Sequence, residues 1–89
     1  MKGYLYILIS LKNGTYYIGS SKDVDKRIGQ HNSGNVKATR YKRPFGLVFK
    51  QEHENMIQAH RAELKIKSWK RKDFIDKIVK DKHFNHTGR

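Results

Sequence analysis

The sequence contains no cysteine. Neither a disulfide framework nor a thiolate zinc site can therefore brace it. That agrees with a reducing setting, and the expectation is a cytoplasmic protein. Proline occurs once, at Pro44, where it closes a basic loop. Acidic residues are scarce, with 8 Asp+Glu against 20 Lys+Arg and a formal net charge of +12. A small domain this basic points to nucleic acid, with an acidic protein partner or an anionic membrane surface as lesser alternatives. Long hydrophobic runs are missing as well. The apolar run from Tyr4 to Ile9 is too short to span a membrane and lacks the small-residue cleavage site of a signal peptide. It reads as a buried strand, and no membrane partner is expected.

What is present fits one small domain in 89 residues. Residues 3–10 read as a strand, Lys12-Asn13-Gly14 as a hairpin turn, and residues 15–20 as the return strand. Ser21 or Asp23 can cap a helix that runs to about Asn32, with Gly34 suited to its C-terminal stop. A third strand is predicted over residues 45–52 and a longer helix from about Asn55 to Lys70. Asp73 can cap a last helix over Phe74 to Lys80, which would present Phe74, Ile75, Ile78 and Val79 to the body. The order is β-β-α-β-α-α, an α+β fold with a small three-stranded antiparallel sheet flanked by helices. The domain is placed at residues 1–80, and residues 81–89 are expected to form a disordered tail.

Several residues break this pattern. Val24, Arg27, Ile28 and His31 fall at i, i+3, i+4 and i+7, the spacing of one buried helical stripe. Arg27 and His31 do not belong on such a stripe unless a partner or a role compensates. The competing reading turns the stripe toward solvent and leaves both exposed. On the long helix Met56, Ala59, Glu63 and Ile66 share an arc, and Glu63 is its one carboxylate. A salt bridge from Glu63 to Arg27 is the structural alternative there. Tyr6 and Tyr17 lie on neighbouring strands of the hairpin, while Tyr4 and Tyr16 read as packing or edge residues. Two phenols, a fixed cation, an imidazole and a lone carboxylate make a kit for cutting a phosphodiester, recognisable only by their combined geometry. His53 is expected at the surface, His60 lies one residue off the Glu63 stripe, and His83 and His86 fall in the tail. None has the paired spacing of a zinc enzyme.

At these residues the chain resembles the GIY-YIG endonuclease family, and within it the small stand-alone bacterial members of the UPF0213 type, related to the Slx1 nuclease. The second motif stands as Tyr17-Ile18-Gly19, and the first is degenerate, Tyr4-Leu5-Tyr6, with Gly3 displaced by one residue. Gly19 through Arg27, Asn32-Ser33-Gly34, Arg43-Pro44 and Ala62 through Trp69 add to the likeness, which covers residues 3 to about 80. The resemblance implies hydrolysis of a phosphodiester with one divalent metal ion, Mg²⁺ or Mn²⁺. A single inward carboxylate agrees with one metal, and Glu63 is the expected ligand. Arg27 would hold a phosphate oxygen. Tyr6 or Tyr17 would serve as general base, with His31 one candidate to relay the proton. Lys37, Arg40, Lys42 and Arg43, helped by Lys70 and Arg71, would track the nucleic-acid backbone without reading bases. DNA is placed ahead of RNA, with structured or branched DNA in view. Larger relatives carry extra modules that choose a substrate. A nucleic-acid-binding module with little activity, or a subunit whose protein partner supplies specificity, therefore stands as the alternative.

Overall fold

A computed structural model describes residues 1–84, and in it the run from Tyr4 to Ile9 becomes the innermost strand. The elements are β1 (Gly3–Ser10), β2 (Tyr16–Ser21), α1 (Val24–Asn32), a 3-10 turn (Arg40–Lys42), β3 (Phe45–His53), α2 (Met56–Trp69) and α3 (Lys72–Asp81). The expected order and fold class hold. The sheet runs β2-β1-β3, and β1 pairs antiparallel with both neighbours.

The alternation along β1 explains the layering. Leu5 and Ile7 face one side, where Ile18, Phe49, Ala62, Ile66 and Ile78 join them. Tyr6 and Leu8 face the other, against Val24 and Phe45. A strand covered on both faces reads as a continuous apolar run rather than an alternating one. Leu5, Ile7 and Leu8 are fully buried, each contributing about 1.5–3 kcal/mol from its removal from water. Helices α2 and α3 thus cover one face and α1 the other.

Local signals set the ends of the elements. The Asp23 carboxylate accepts from the Lys26 amide at 3.0 Å and starts α1. Asn55 does the same for α2 through the Gln58 amide at 2.9 Å. Gly34, just beyond α1, has φ +85°, a conformation that side chains disfavour. Buried Ser10 fixes the hairpin turn. Its hydroxyl accepts from the Lys12 and Asn13 amides, both at 3.2 Å, and donates to the Lys42 carbonyl at 2.5 Å. The basic segment before β3 is thereby anchored to the hairpin. The β1–β3 register shifts between Ile7 and Leu8, which pair with Phe49 and Leu47. Val48 is the extra residue, and the irregularity bends β3 around the sheet.

Four expectations need correction. Helix α3 begins at Lys72 with Arg71 as its cap residue, and Asp73 lies inside the first turn. There its carboxylate accepts two bonds from the Arg71 guanidinium, at 2.7 and 3.1 Å. Phe74 is not turned into the body. It is 39% exposed, with the Trp69 ring tilted against it and the Arg71 guanidinium over its face. The tail was also placed too early, because Asp81 closes α3 and Phe84 is buried beside Trp69. The Phe84 carbonyl accepts from Gln51 Nε2 at 2.6 Å, so an aromatic side chain and a strand contact hold this segment down. The rest of the expected tail, including His86, lies outside the described residues. His53, expected at the surface, is buried at the end of β3, where it pairs in register with Gly3 of the central strand. Among the described residues no helix is long and apolar enough to cross a membrane.

Candidate active site

Tyr6 is the largest fully buried side chain of the sheet, and a glycine makes room for it. Tyr6 and Gly19 are register partners across β1 and β2. A Cβ at Gly19 would stand 2.4 Å from the Tyr6 hydroxyl and 2.5 Å from Cζ. The glycine that closes Tyr17-Ile18-Gly19 is therefore required by close approach of the phenol.

The stripe on α1 turns inward, not toward solvent. Val24 is buried, Arg27 and Ile28 are half-buried, and His31 has no exposed surface. His31 Nε2 lies 3.2 Å from the Tyr6 hydroxyl, and Nδ1 lies 2.7 Å from Thr39 Oγ1. Thr39 is itself buried, and its hydroxyl donates to the Val36 carbonyl at 3.4 Å. We assign Nδ1 as the protonated nitrogen on this network, so that Nε2 accepts from the Tyr6 O–H. Burial, followed by the nearby Arg27 charge, lowers the His31 pKa to about 4. The imidazole is neutral at physiological pH. Burial likewise raises the Tyr6 pKa. The Arg27 guanidinium opposes that rise, while Tyr17 and Glu63 add to it. Both ends of the pair therefore rest neutral.

Tyr17 projects from β2 on the same face. Its ring centroid is 4.6 Å from that of His31 and 6.4 Å from that of Tyr6. Tyr6, Tyr17 and His31 form one aromatic group, closed on its far side by Phe45, 5.9 Å from the His31 ring. Asn32, next to His31, fixes that phenylalanine by pairing its side-chain amide with the Phe45 backbone at 2.7 and 3.2 Å. Arg27 donates to Gln30 Oε1 at 2.8 Å. It also lines a cleft of about 470 Å³ with Ser20, Lys22, Asp23, Lys26 and Met56.

Glu63 approaches from the other side of the sheet. Its helix packs on the Leu5 and Ile7 face, and its carboxylate meets Ser20, which projects from β2 toward α2. The Ser20 hydroxyl donates to Oε1 at 2.6 Å, and the Lys67 ammonium donates to Oε2 at 2.6 Å. His60 Nδ1 stands 3.5 Å from Oε1. Burial pushes the Glu63 carboxyl upward, but the bonds from Lys67 and Ser20 outweigh it and leave the pKa below its ordinary value. The alternative salt bridge to Arg27 does not form. Lys67 instead joins the two halves of the site, with its ammonium 5.8 Å from the Tyr17 ring centroid. Four of the five expected side chains thus share one face, and the fifth reaches the edge strand β2 from behind.

The donor chemistry on Glu63 suits a hard cation: one ionised carboxylate on the rim, with a hydroxyl beside it. Among the described residues no group of three or more His, Cys, Asp or Glu side chains converges. The remaining positions around such an ion would fall to water and phosphate oxygens, as Mg²⁺ favours.

The basic residues divide into two sets. Lys37, Arg40, Lys42 and Arg43 are exposed along the segment from α1 to β3, with Tyr41 among them at 79% exposure. Arg40 donates to the Gly34 carbonyl at 3.1 Å, and the Arg43 guanidinium lies where a Gly34 side chain would be. Lys70 and Arg71 sit at the α2–α3 junction, and Arg71 is engaged by Asp73 and Phe74. Sequence reasoning did not find Thr39, Ser20, Lys67, Lys22 or Lys26, and it set His60 aside. Lys67 was readable in principle, four residues after Glu63 on one helix face. Thr39 carried no signal, because it lies in irregular chain.

Comparison with known proteins places this geometry. The model of the GIY-YIG catalytic domain matches residues 2–77. A UPF0213 protein of Staphylococcus saprophyticus is 38% identical over 71 residues, spanning 79% of this chain and 85% of that protein. One from Staphylococcus aureus is 29% identical over 83 residues, 92% of this chain and all of the relative. The solution NMR structure of a UPF0213 protein from Bacillus halodurans is 36% identical, with a TM-score of 0.59 over 92% of this chain and 86% of that one. With its paired tyrosines facing a buried histidine across the hairpin, the chain belongs to the GIY-YIG catalytic domain family.

Proposed function

We propose that this chain is a metal-dependent endonuclease that hydrolyses phosphodiester bonds in nucleic acid, DNA ahead of RNA. The observation that carries the reading is the buried Tyr6–His31–Thr39 hydrogen-bond chain set beside Arg27 and Tyr17. Burying three polar side chains in a domain this small is costly unless each is satisfied, and here each has a partner.

Each residue then has a task. The Arg27 fork grips a non-bridging phosphate oxygen at the cleft, where Lys22 and Lys26 steer the flanking phosphates. Tyr6 takes a proton from the attacking water at its oxygen while its own proton passes to His31 Nε2. A phenol with a raised pKa is a poor acid, so the transfer is concerted with attack. Thr39 holds His31 in the accepting tautomer. Tyr17 flanks the reacting group and orients water or phosphate. A divalent ion, Mg²⁺ or Mn²⁺, held by Glu63 would polarise the phosphate and stabilise the leaving oxygen.

The exposed cations from Lys37 to Arg43 track the backbone, and Tyr41 offers a ring on which an unpaired base can stack. Nothing in this set reads sequence, so a protein partner that supplies specificity is part of the proposal. The cytoplasm is the proposed setting, in keeping with a chain that uses no disulfide.

The test is cleavage of single-stranded, duplex, flap and branched DNA, beside RNA, in Mg²⁺ or Mn²⁺. Glu63→Ala and Arg27→Ala run in parallel. Arg27→Ala is expected to lower the rate on the order of 10²–10³-fold. Equal cleavage by wild type and both variants points to a contaminant and removes the nuclease reading. Binding without cleavage on every substrate leaves only a nucleic-acid-binding module.

A further inference from the structure

Glu63 already holds a cation. The Lys67 ammonium lies 2.6 Å from Oε2, and the lysine side chain is 43% exposed while the Glu63 side chain is only 11% exposed. A surface i,i+4 pair would be ordinary, and Glu before Lys is its favoured order. This pair differs in two respects. Its acceptor is the single carboxylate that the metal reading requires, and its ammonium also stands 5.8 Å from the Tyr17 ring.

We propose that Lys67 is a resident competitor for the metal position on Glu63, seated on the carboxylate until a divalent ion displaces it. The inference rests on the reading of Glu63 as metal ligand. An ammonium hydrogen-bonded to Oε2 fills that oxygen's coordination space, so an incoming ion must break a charge-assisted bond before it gains its own. Ser20 and His60 sit on the other oxygen and leave no equal vacancy. The exposed lysine stem lets the ammonium swing away without disturbing α2. Once displaced it remains beside Tyr17, where a substrate phosphate can take it up. Metal-free protein therefore keeps Glu63 charge-balanced, and metal binding costs more than the carboxylate alone would demand.

The test measures Mn²⁺ binding by calorimetry, and by the resonance signal of the free ion, without nucleic acid and at fixed pH and salt. Lys67→Met is expected to tighten binding about tenfold, in line with the loss of one charged hydrogen bond to overcome. Lys67→Gln should tighten it as well, and Lys67→Arg should stay near wild type because the charge is kept. Thermal melts confirm that each variant is folded. Unchanged or weaker binding by Lys67→Met, with binding still lost in Glu63→Gln, overturns the competition and leaves Glu63 as the ligand. No binding by any variant, Lys67→Met included, overturns the metal reading of Glu63 and the competition with it.

Discussion

The Tyr6 hydroxyl occupies the space that a side chain at Gly19 would fill, 2.4 Å from the would-be Cβ. The two residues are register partners on adjacent strands, so neither can move without shifting the hairpin. Gly19→Ala should therefore push the phenol off His31. Overpacking of this kind costs about 1–3 kcal/mol, and cleavage should fall further than stability does. Urea titration beside a cleavage assay checks both. A variant with wild-type turnover would show that the position of Tyr6 does not matter to the reaction.

Tyr6→Phe removes only the hydroxyl. The loss of a general base commonly lowers rate by about 10²–10⁴, while nucleic-acid binding and its salt dependence should stay near wild type. Filter binding and single-turnover kinetics separate the two. If turnover survives in Tyr6→Phe and falls in Tyr17→Phe, the roles of the two phenols are exchanged.

Thr39→Val leaves the His31 Nδ1–H buried without its acceptor. An unsatisfied buried donor costs about 1–3 kcal/mol. The imidazole is also freed to take the other tautomer, which points an N–H at Tyr6. Cleavage is expected to drop at constant substrate affinity. Thr39→Ser, which restores the hydroxyl, should recover most of it.

The pH dependence of stability follows from His31. Its pKa is about 4 in the folded protein against about 6.5 in an unfolded chain. Between these values the unfolded state binds more protons, so stability rises with pH. The contribution is complete above about 6.5, declines as pH falls, and is gone below about 4, a loss of roughly 3 kcal/mol. The lowered Glu63 pKa adds to the loss only at the acid end, below the ordinary carboxylate range. Melting temperature across this window should show the decline, and His31→Gln should flatten its upper part. A flat wild-type profile from pH 6.5 to 4.5 would mean that the imidazole is hydrated and not enclosed.

Neutralising Lys37, Arg40 and Lys42 to Gln should weaken binding to all sequences alike. The slope of log affinity against log salt should shrink by about one for each cation that met a phosphate. An unchanged slope would move the backbone track away from this segment and toward Lys22 and Lys26.

Much of the fold was legible because its signals are local. The continuous apolar run of β1, the caps Asp23 and Asn55, and Gly34 beyond α1 are each set by a few neighbouring residues. The site was legible where polar residues interrupt an apolar stripe, as Arg27, His31 and Glu63 do. Sequence offered Lys67 as the i+4 partner of Glu63, but that Arg27 stays off the carboxylate depends on which sheet face each helix covers. Thr39 was invisible for a related reason. Its contact with His31 crosses an irregular segment held by Ser10 and Lys42, and no periodicity runs through such chain. The segment after α3 was read as tail because Phe84 stands among polar neighbours, yet one aromatic was enough to join the core.

The central strand carries Tyr6 between two covered faces, which puts the proposed general base in the last part of the molecule to open. Breathing of the surface loops would leave it in place. Enzymatic competence and global folding should then disappear together across a denaturant titration, with no inactive yet structured form in between. A domain built this way is tuned by what it is given to hold, since its chemical centre has no hinge on which to relax.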